Sequence, residues 1–185
     1  MQQENYNIVV LRDLIKQKHD QAENHAFVKT LFAGKLPTKV YVEFLYNQLF
    51  IYRALEVTAT NAGALDDIED IKRVEKIEKD LKFFNQQDLK IHPSTYQYIN
   101  YVAKITDVNK LIAHIYVRHM GDMFGGAMIK KVTSGPGNMY EFENRSELIQ
   151  KLRSKLSLDM ADEANIVFDF AINLFEDLAN EYDIQ

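Results

Sequence analysis

The chain contains no cysteine, which removes disulfides, thiolate nucleophiles and cysteine metal sites together. It has no run of 18 uncharged apolar residues, so no segment reads as a membrane-spanning helix. The opening "MQQENYNIVVLRD" lacks the basic start and apolar stretch of a signal peptide. The expectation is a soluble, cytoplasmic protein with no membrane anchor. Long basic runs are missing too, and the formal net charge is -5, which argues against a nucleic-acid partner.

Glycine and proline are scarce, at 7 and 3 residues. Between these breaks almost every segment spaces its apolar residues by three or four rather than by two. The reading is therefore all-α, and 185 residues at 46% hydrophobic suit a single domain over residues 1–185. A first helix is expected over about 4–24, with Ile8, Leu11, Leu14, Ile15 and Ala22 on its apolar side. A turn of helix follows through "HAFVKTLFAG", and Pro37, at a first-turn position, opens a long helix. Further helices run through "DIKRVEKIEKDLKFF", "HPSTYQYINYVAKI", residues 107–133, "NRSELIQKLRSKL" and "ADEANIVFDFAINLFEDLANEY". The "TSGPGN" tract is the clearest loop.

Charge is unevenly placed. Residues 10–53 hold seven Lys/Arg against four Asp/Glu, whereas residues 159–183 hold eight Asp/Glu and no Lys/Arg. The basic third suits an acidic partner, and the acidic end reads as a solvated helix face.

Two stretches carry chemistry. Arg12, Lys16, His19 and Glu23 fall at i, i+4, i+7 and i+11, one stripe of the first helix. The rise from Arg12 to His19 is about 10 Å, roughly the reach from a heme centre to its propionates. Glu23 could fix the tautomer of a metal-bound His19. The same residues would equally make an exposed face laced with i,i+4 pairs. The second stretch, "RHMGDMFGGAMIKK", puts Gly121, Gly125 and Gly126 inside a helix, a propensity loss of about 3 kcal/mol. Missing side chains allow close approach of a flat macrocycle, or of another helix. Asp122, in mostly apolar surroundings, invites a structural partner or a proton-handling role. Carboxylate di-iron chemistry would need Glu-x-x-His motifs, and a serine hydrolase a G-x-S-x-G turn; neither occurs.

"LRDLIKQKHDQAENHAFVKTLFAG" resembles the proximal-histidine segment of heme oxygenases, and "YVRHMGDMFGGAMIKKV" resembles their distal-helix signature, with G-D-x-x-G-G as its core. The similarity extends through "EKDLKFF", "HPSTYQYINYV" and "EANIVFDFAINLFEDL" in the family's order. The resemblance implies an all-α, multihelical fold with heme b between the first helix and a kinked glycine-rich distal helix. His19 would be the axial iron ligand and Glu23 its orienting partner, with Arg12, Lys16, Tyr116 and Arg153 near the propionates. Asp122 would organise distal water, Gly121, Gly125 and Gly126 would pack against the macrocycle and bound O2, and Phe168 and Phe175 would line the pocket. His119 stands where the family commonly has tyrosine, Phe124 where it has serine, and Ala171 where it has asparagine.

The implied activity is oxidative cleavage of heme b at the α-meso carbon to biliverdin IXα, CO and ferrous iron. O2 would be the co-substrate and reduced ferredoxin the electron donor, as in the soluble plant and cyanobacterial type. The protein would act as a monomer, with a bilin reductase downstream. A non-catalytic heme carrier or sensor on the same fold is the competing reading.

Overall fold

A computed structural model describes residues 2–185, with side chains from Ile8 onward; Met1 of the opening stretch lies outside the described residues. Among the described residues the structure is all-helical, with no strand. The helices are α1 (Gln2–Glu23), α2 (Ala26–Phe32), α3 (Thr38–Asn61), α4 (Val74–Phe84), α5 (Pro93–Val102), α6 (Val108–Val132), α7 (Arg145–Ser154) and α8 (Ala161–Glu181). Short 3-10 turns sit at Glu69–Ile71, Asn138–Tyr140 and Leu158–Met160. No described helix is long and apolar enough to cross a membrane.

Helix boundaries follow local chemistry. His25 caps α2 by accepting the Phe27 N–H on Nδ1 at 3.2 Å, and Asp107 caps α6 by accepting the Asn109 N–H at 2.8 Å. Pro93 occupies the first turn of α5. Pro37, expected at that position of α3, is instead its cap, with φ -57 and ψ 139. The helix expected through "DIKRVEKIEKDLKFF" is interrupted at Lys72 and Arg73, and α4 starts at Val74. The reason is Glu56 on α3, whose carboxylate accepts the N–H groups of both Arg73 and Val74 and so takes up orphan donors at that end.

Leu11, Ile15 and Ala22 of α1 are buried as their spacing predicts, whereas Leu14 is 52% exposed. Helix α8 is the common support, since α1, α2, α5 and α6 all pack on it, while α3 carries α4, α5 and α6. Both α1 and α6 pack on α8, yet they scarcely touch one another, so they stand over it as two separate walls.

Candidate functional site

One of these walls is α1. Its Arg12, Lys16, His19 and Glu23 are all exposed, as the stripe requires. His19 packs edge-on against Phe168 of α8, with ring centroids 5.8 Å apart at 81°. Contact with Phe168 steadies the ring without covering it, and its side chain stays 49% exposed. His19 Nε2 lies 3.6 Å from Glu23 Oε1 and Nδ1 lies 3.7 Å from Asp20 Oδ1, too far for hydrogen bonds. One ligand atom from each of His19, Asp20 and Glu23 falls within 4.8 Å of the others. Asp20 was not singled out in the sequence. It is held by Lys16, whose hydrogen bond lowers the Asp20 pKa, so Lys16 is paired along its own helix.

At one end of the site, burial raises the pKa of the Tyr116 hydroxyl, while the charges of Arg12 and Arg153 oppose that rise. Positive charge from α1 and from α7 is thus felt at one buried phenol. Lys151 does not join Arg12 and Arg153, because its ammonium bonds Glu147 at 2.7 Å and the Asp67 carbonyl at 3.1 Å.

The other wall is α6, and its three glycines divide. A Cβ on Gly121 would meet nothing within 4 Å, and one on Gly125 would reach the Phe32 ring at 3.4 Å. A Cβ on Gly126 would strike the Tyr140 ring at 2.5 Å. Gly126 therefore makes room for another part of the protein, where the sequence suggested contact with a ligand. Phe124, Met128 and Val132, at i, i+4 and i+8, are 54%, 57% and 38% exposed. They form an open apolar row on the side of the helix that carries Gly121.

Between the glycines, half-buried Asp122 accepts a hydrogen bond on Oδ2 from the hydroxyl of Tyr52, a buried residue of α3. Burial pushes the Asp122 pKa up to about 7, against the opposing pull of Tyr52, Arg73 and Arg118. The group can thus hold or release a proton near neutrality.

Residues 8–177 match the family model described as Heme oxygenase. The chain belongs to the heme oxygenase family. Named heme oxygenases from Guillardia theta and Rhodella violacea are 31% and 29% identical to it, over 94% and 93% of this chain and 86% of each relative. The fold matches that of heme oxygenase-1 from the cyanobacterium Synechocystis, solved in complex with heme. The TM-score is 0.81 at 24% identity, covering 94% of this chain and 92% of that one.

The residues present fit the substrate that the family name implies. A histidine with unspent ring nitrogens stands on one wall, and a helix without a side chain at Gly121 stands on the other. The exposed apolar row on α6 offers surface to a flat apolar ring, and the Arg12–Tyr116–Arg153 grouping offers charge to carboxylates. Phe175 is already occupied: its ring stacks on Phe27 at 5.5 Å and contacts Phe44 and His25.

Several residues packed around α6 carry no local sequence signal. Tyr52 meets Asp122 across 70 residues of chain. Arg118 is buried face-on against the Tyr98 ring at 4.1 Å. The Tyr98 hydroxyl bonds His114 Nδ1 at 2.9 Å, and His114 Nε2 bonds Glu163 at 3.0 Å. Only the charged or aromatic character of these residues at otherwise buried helical positions could have drawn attention to them.

Proposed function

We propose that this chain opens heme b at the α-meso carbon to biliverdin IXα, CO and ferrous iron, using O2 and electrons from reduced ferredoxin. The observation that carries the reading is a half-exposed His19 with no hydrogen bond on α1 together with Asp122 on α6, whose pKa burial raises to about 7, both helices packing on α8. Heme bound there supplies the iron that activates O2 and the ring that is oxidised.

The chain's own residues supply the rest. His19 would hold the iron, and a carboxylate stands beside each ring nitrogen, so the nitrogen left free has an acceptor within a side-chain rotation. Phe168 steadies that imidazole. Arg12, Arg153 and Tyr116 hold the propionates, and Lys16 joins them when it leaves Asp20. Gly121 and Gly125 let the macrocycle approach the α6 backbone, while Gly126 and Phe175 support the two walls from behind. Asp122 takes up and releases a proton on the distal side, with Oδ2 fixed by Tyr52. The basic balance of residues 10–53, which include the His19 end of α1, suits an acidic ferredoxin approaching near His19.

Hemin titrated into purified protein should produce the Soret band of a histidine-ligated heme. Addition of ferredoxin and a reducing system under air should then replace it with a biliverdin spectrum. A ferrous or oxygenated heme that persists without ring opening overturns the enzyme reading in favour of a carrier or sensor. His19→Ala should lose the axial ligation; normal ligation in that variant refutes the ligand assignment.

A further inference from the structure

His119, one turn before Asp122, is 1% exposed. Its Nδ1 lies 3.0 Å from the carbonyl oxygen of Ile115. A carbonyl only accepts, so Nδ1 carries the hydrogen and, in the neutral ring, Nε2 is a bare acceptor. That Nε2 is buried with no partner. On the preceding residue, Nε and Nη2 of Arg118 are buried donors, also without partners. Arg118 is held through its face by Tyr98 rather than through its hydrogen-bonding edge, which leaves this fork unspent. The fourth unspent atom is Asp122 Oδ1, since Tyr52 occupies only Oδ2.

Arg118 and His119 stand four and three residues before Asp122, so all three share one side of α6 within a single turn. Tyr52 joins two of them, bonding Asp122 through its hydroxyl while its ring meets the His119 ring at 5.0 Å. A buried acceptor and a buried donor left unpaired each cost roughly 1–3 kcal/mol, and a buried water commonly makes two to four hydrogen bonds to such groups. Two donors from the Arg118 fork and two acceptors, His119 Nε2 and Asp122 Oδ1, match the two lone pairs and two hydrogens of one water.

We propose that His119 is a positioning residue that seats one buried water between the Arg118 fork and Asp122, orienting that water's second hydrogen onto the Asp122 carboxylate. His119 cannot donate from Nε2, so it fixes the direction of the hydrogen bonds and favours ionised Asp122. The ionisable groups whose hydrogen bonds or charges bear on Asp122 and His119 are Tyr52 from α3, Arg73 ahead of α4, Arg118 of α6 itself and Tyr140 beneath Gly126, while Glu163 of α8 is engaged by His114. The water site rests on the burial and pairing of these atoms and on their shared turn of α6; its placement on the distal side of a heme rests on the function proposed above.

Heme-free protein tests it, so the outcome is independent of turnover. Nitrogen NMR of His119 should show Nδ1 protonated and Nε2 at the resonance position of a nitrogen accepting a hydrogen bond. A protonated Nε2, or one at the position of a free lone pair, overturns the proposal. The Asp122 carboxyl carbon, followed by titration, should move its midpoint upward by roughly half a unit or more in His119→Phe. In His119→Gln, whose amide oxygen can replace the acceptor, the midpoint should return toward the parent value. Equal midpoints in the parent and His119→Phe also overturn it. The tautomer is read on the unaltered chain, so refutation remains open even if His119→Phe does not fold.

Discussion

At the residue scale, the proposed site centres on a carboxyl group held near its titration point by two opposed forces. Burial raises the Asp122 pKa, while the Tyr52 hydroxyl and the Arg73 and Arg118 charges pull it part of the way back. Tyr52→Phe removes a hydrogen bond that favours the ionised form, so the Asp122 pKa should rise above about 7. If protonated Asp122 serves turnover, single-turnover heme loss should decline as pH rises through the Asp122 pKa. In Tyr52→Phe that decline should move to higher pH; a limb that stays in place removes Asp122 from the rate-determining protonation. His19 and Asp122 could be singled out in the sequence, His19 as part of a polar stripe of the first helix and Asp122 as an ionisable side chain in mostly apolar surroundings. Tyr52 was not legible, because a tyrosine in an apolar helix looks like core until the fold brings Asp122 to it. His119 was noticed only as a departure from the family pattern, and its unpartnered nitrogen appears only once Ile115 and Tyr52 are in place.

At the element scale, α6 reads in sequence as one glycine-rich helix, but its glycines answer to different neighbours. Gly121→Ala places a methyl in open space and should stabilise the heme-free protein by roughly 0.5–1 kcal/mol through helix propensity, while weakening hemin binding. Gly126→Ala drives a methyl into the Tyr140 ring and should cost about 1–3 kcal/mol as overpacking. Denaturant unfolding without heme separates the two, since the expected signs are opposite; destabilisation by Gly121→Ala would mean that its face is already filled. Tyr140 has little freedom to retreat. It belongs to the turn at Asn138–Tyr140, where buried Asp80 of α4 accepts the N–H groups of Asn138 at 2.8 Å and Met139 at 2.9 Å. Periodicity located α6 and its glycines, but what stands behind each glycine is set by a turn that follows the helix and by a second helix. The break before α4 has the same kind of origin, because Glu56 of α3 supplies the capping carboxylate from elsewhere in the chain.

At the scale of the whole molecule, the buried ionisable groups shape how stability depends on pH. Burial holds His119 down to about 3 from an ordinary 6.5, and raises Asp122 from 3.8 to about 7. Between pH 3.8 and 6.5 the unfolded chain carries a charged histidine and a charged aspartate, whereas the folded chain holds both neutral. The proton count is the same in the two states, so this pair contributes almost no slope across that window. Asp122→Asn leaves the depressed histidine alone, whose contribution is present above pH 6.5 and lost as pH falls toward 3. His119→Phe leaves the raised aspartate alone, whose contribution is present below pH 3.8 and lost as pH rises toward 7. Chemical denaturation at several pH values from 4 to 6.5 should therefore give the two variants slopes of opposite sign relative to the parent. Each is bounded by about 1.4 kcal/mol per pH unit for a single proton, and the His119→Phe slope should be the shallower because Asp122 keeps some contact with solvent. Glu163 supplies an acid limb common to all three proteins. Burial raises its pKa, but the hydrogen bonds of His114, Tyr101 and Lys110 outweigh that and hold it at about 2, so its contribution is lost as pH falls from 4.5 toward 2. Parallel slopes in the two variants would mean that His119 and Asp122 do not share the neutral buried state on which the cancellation depends.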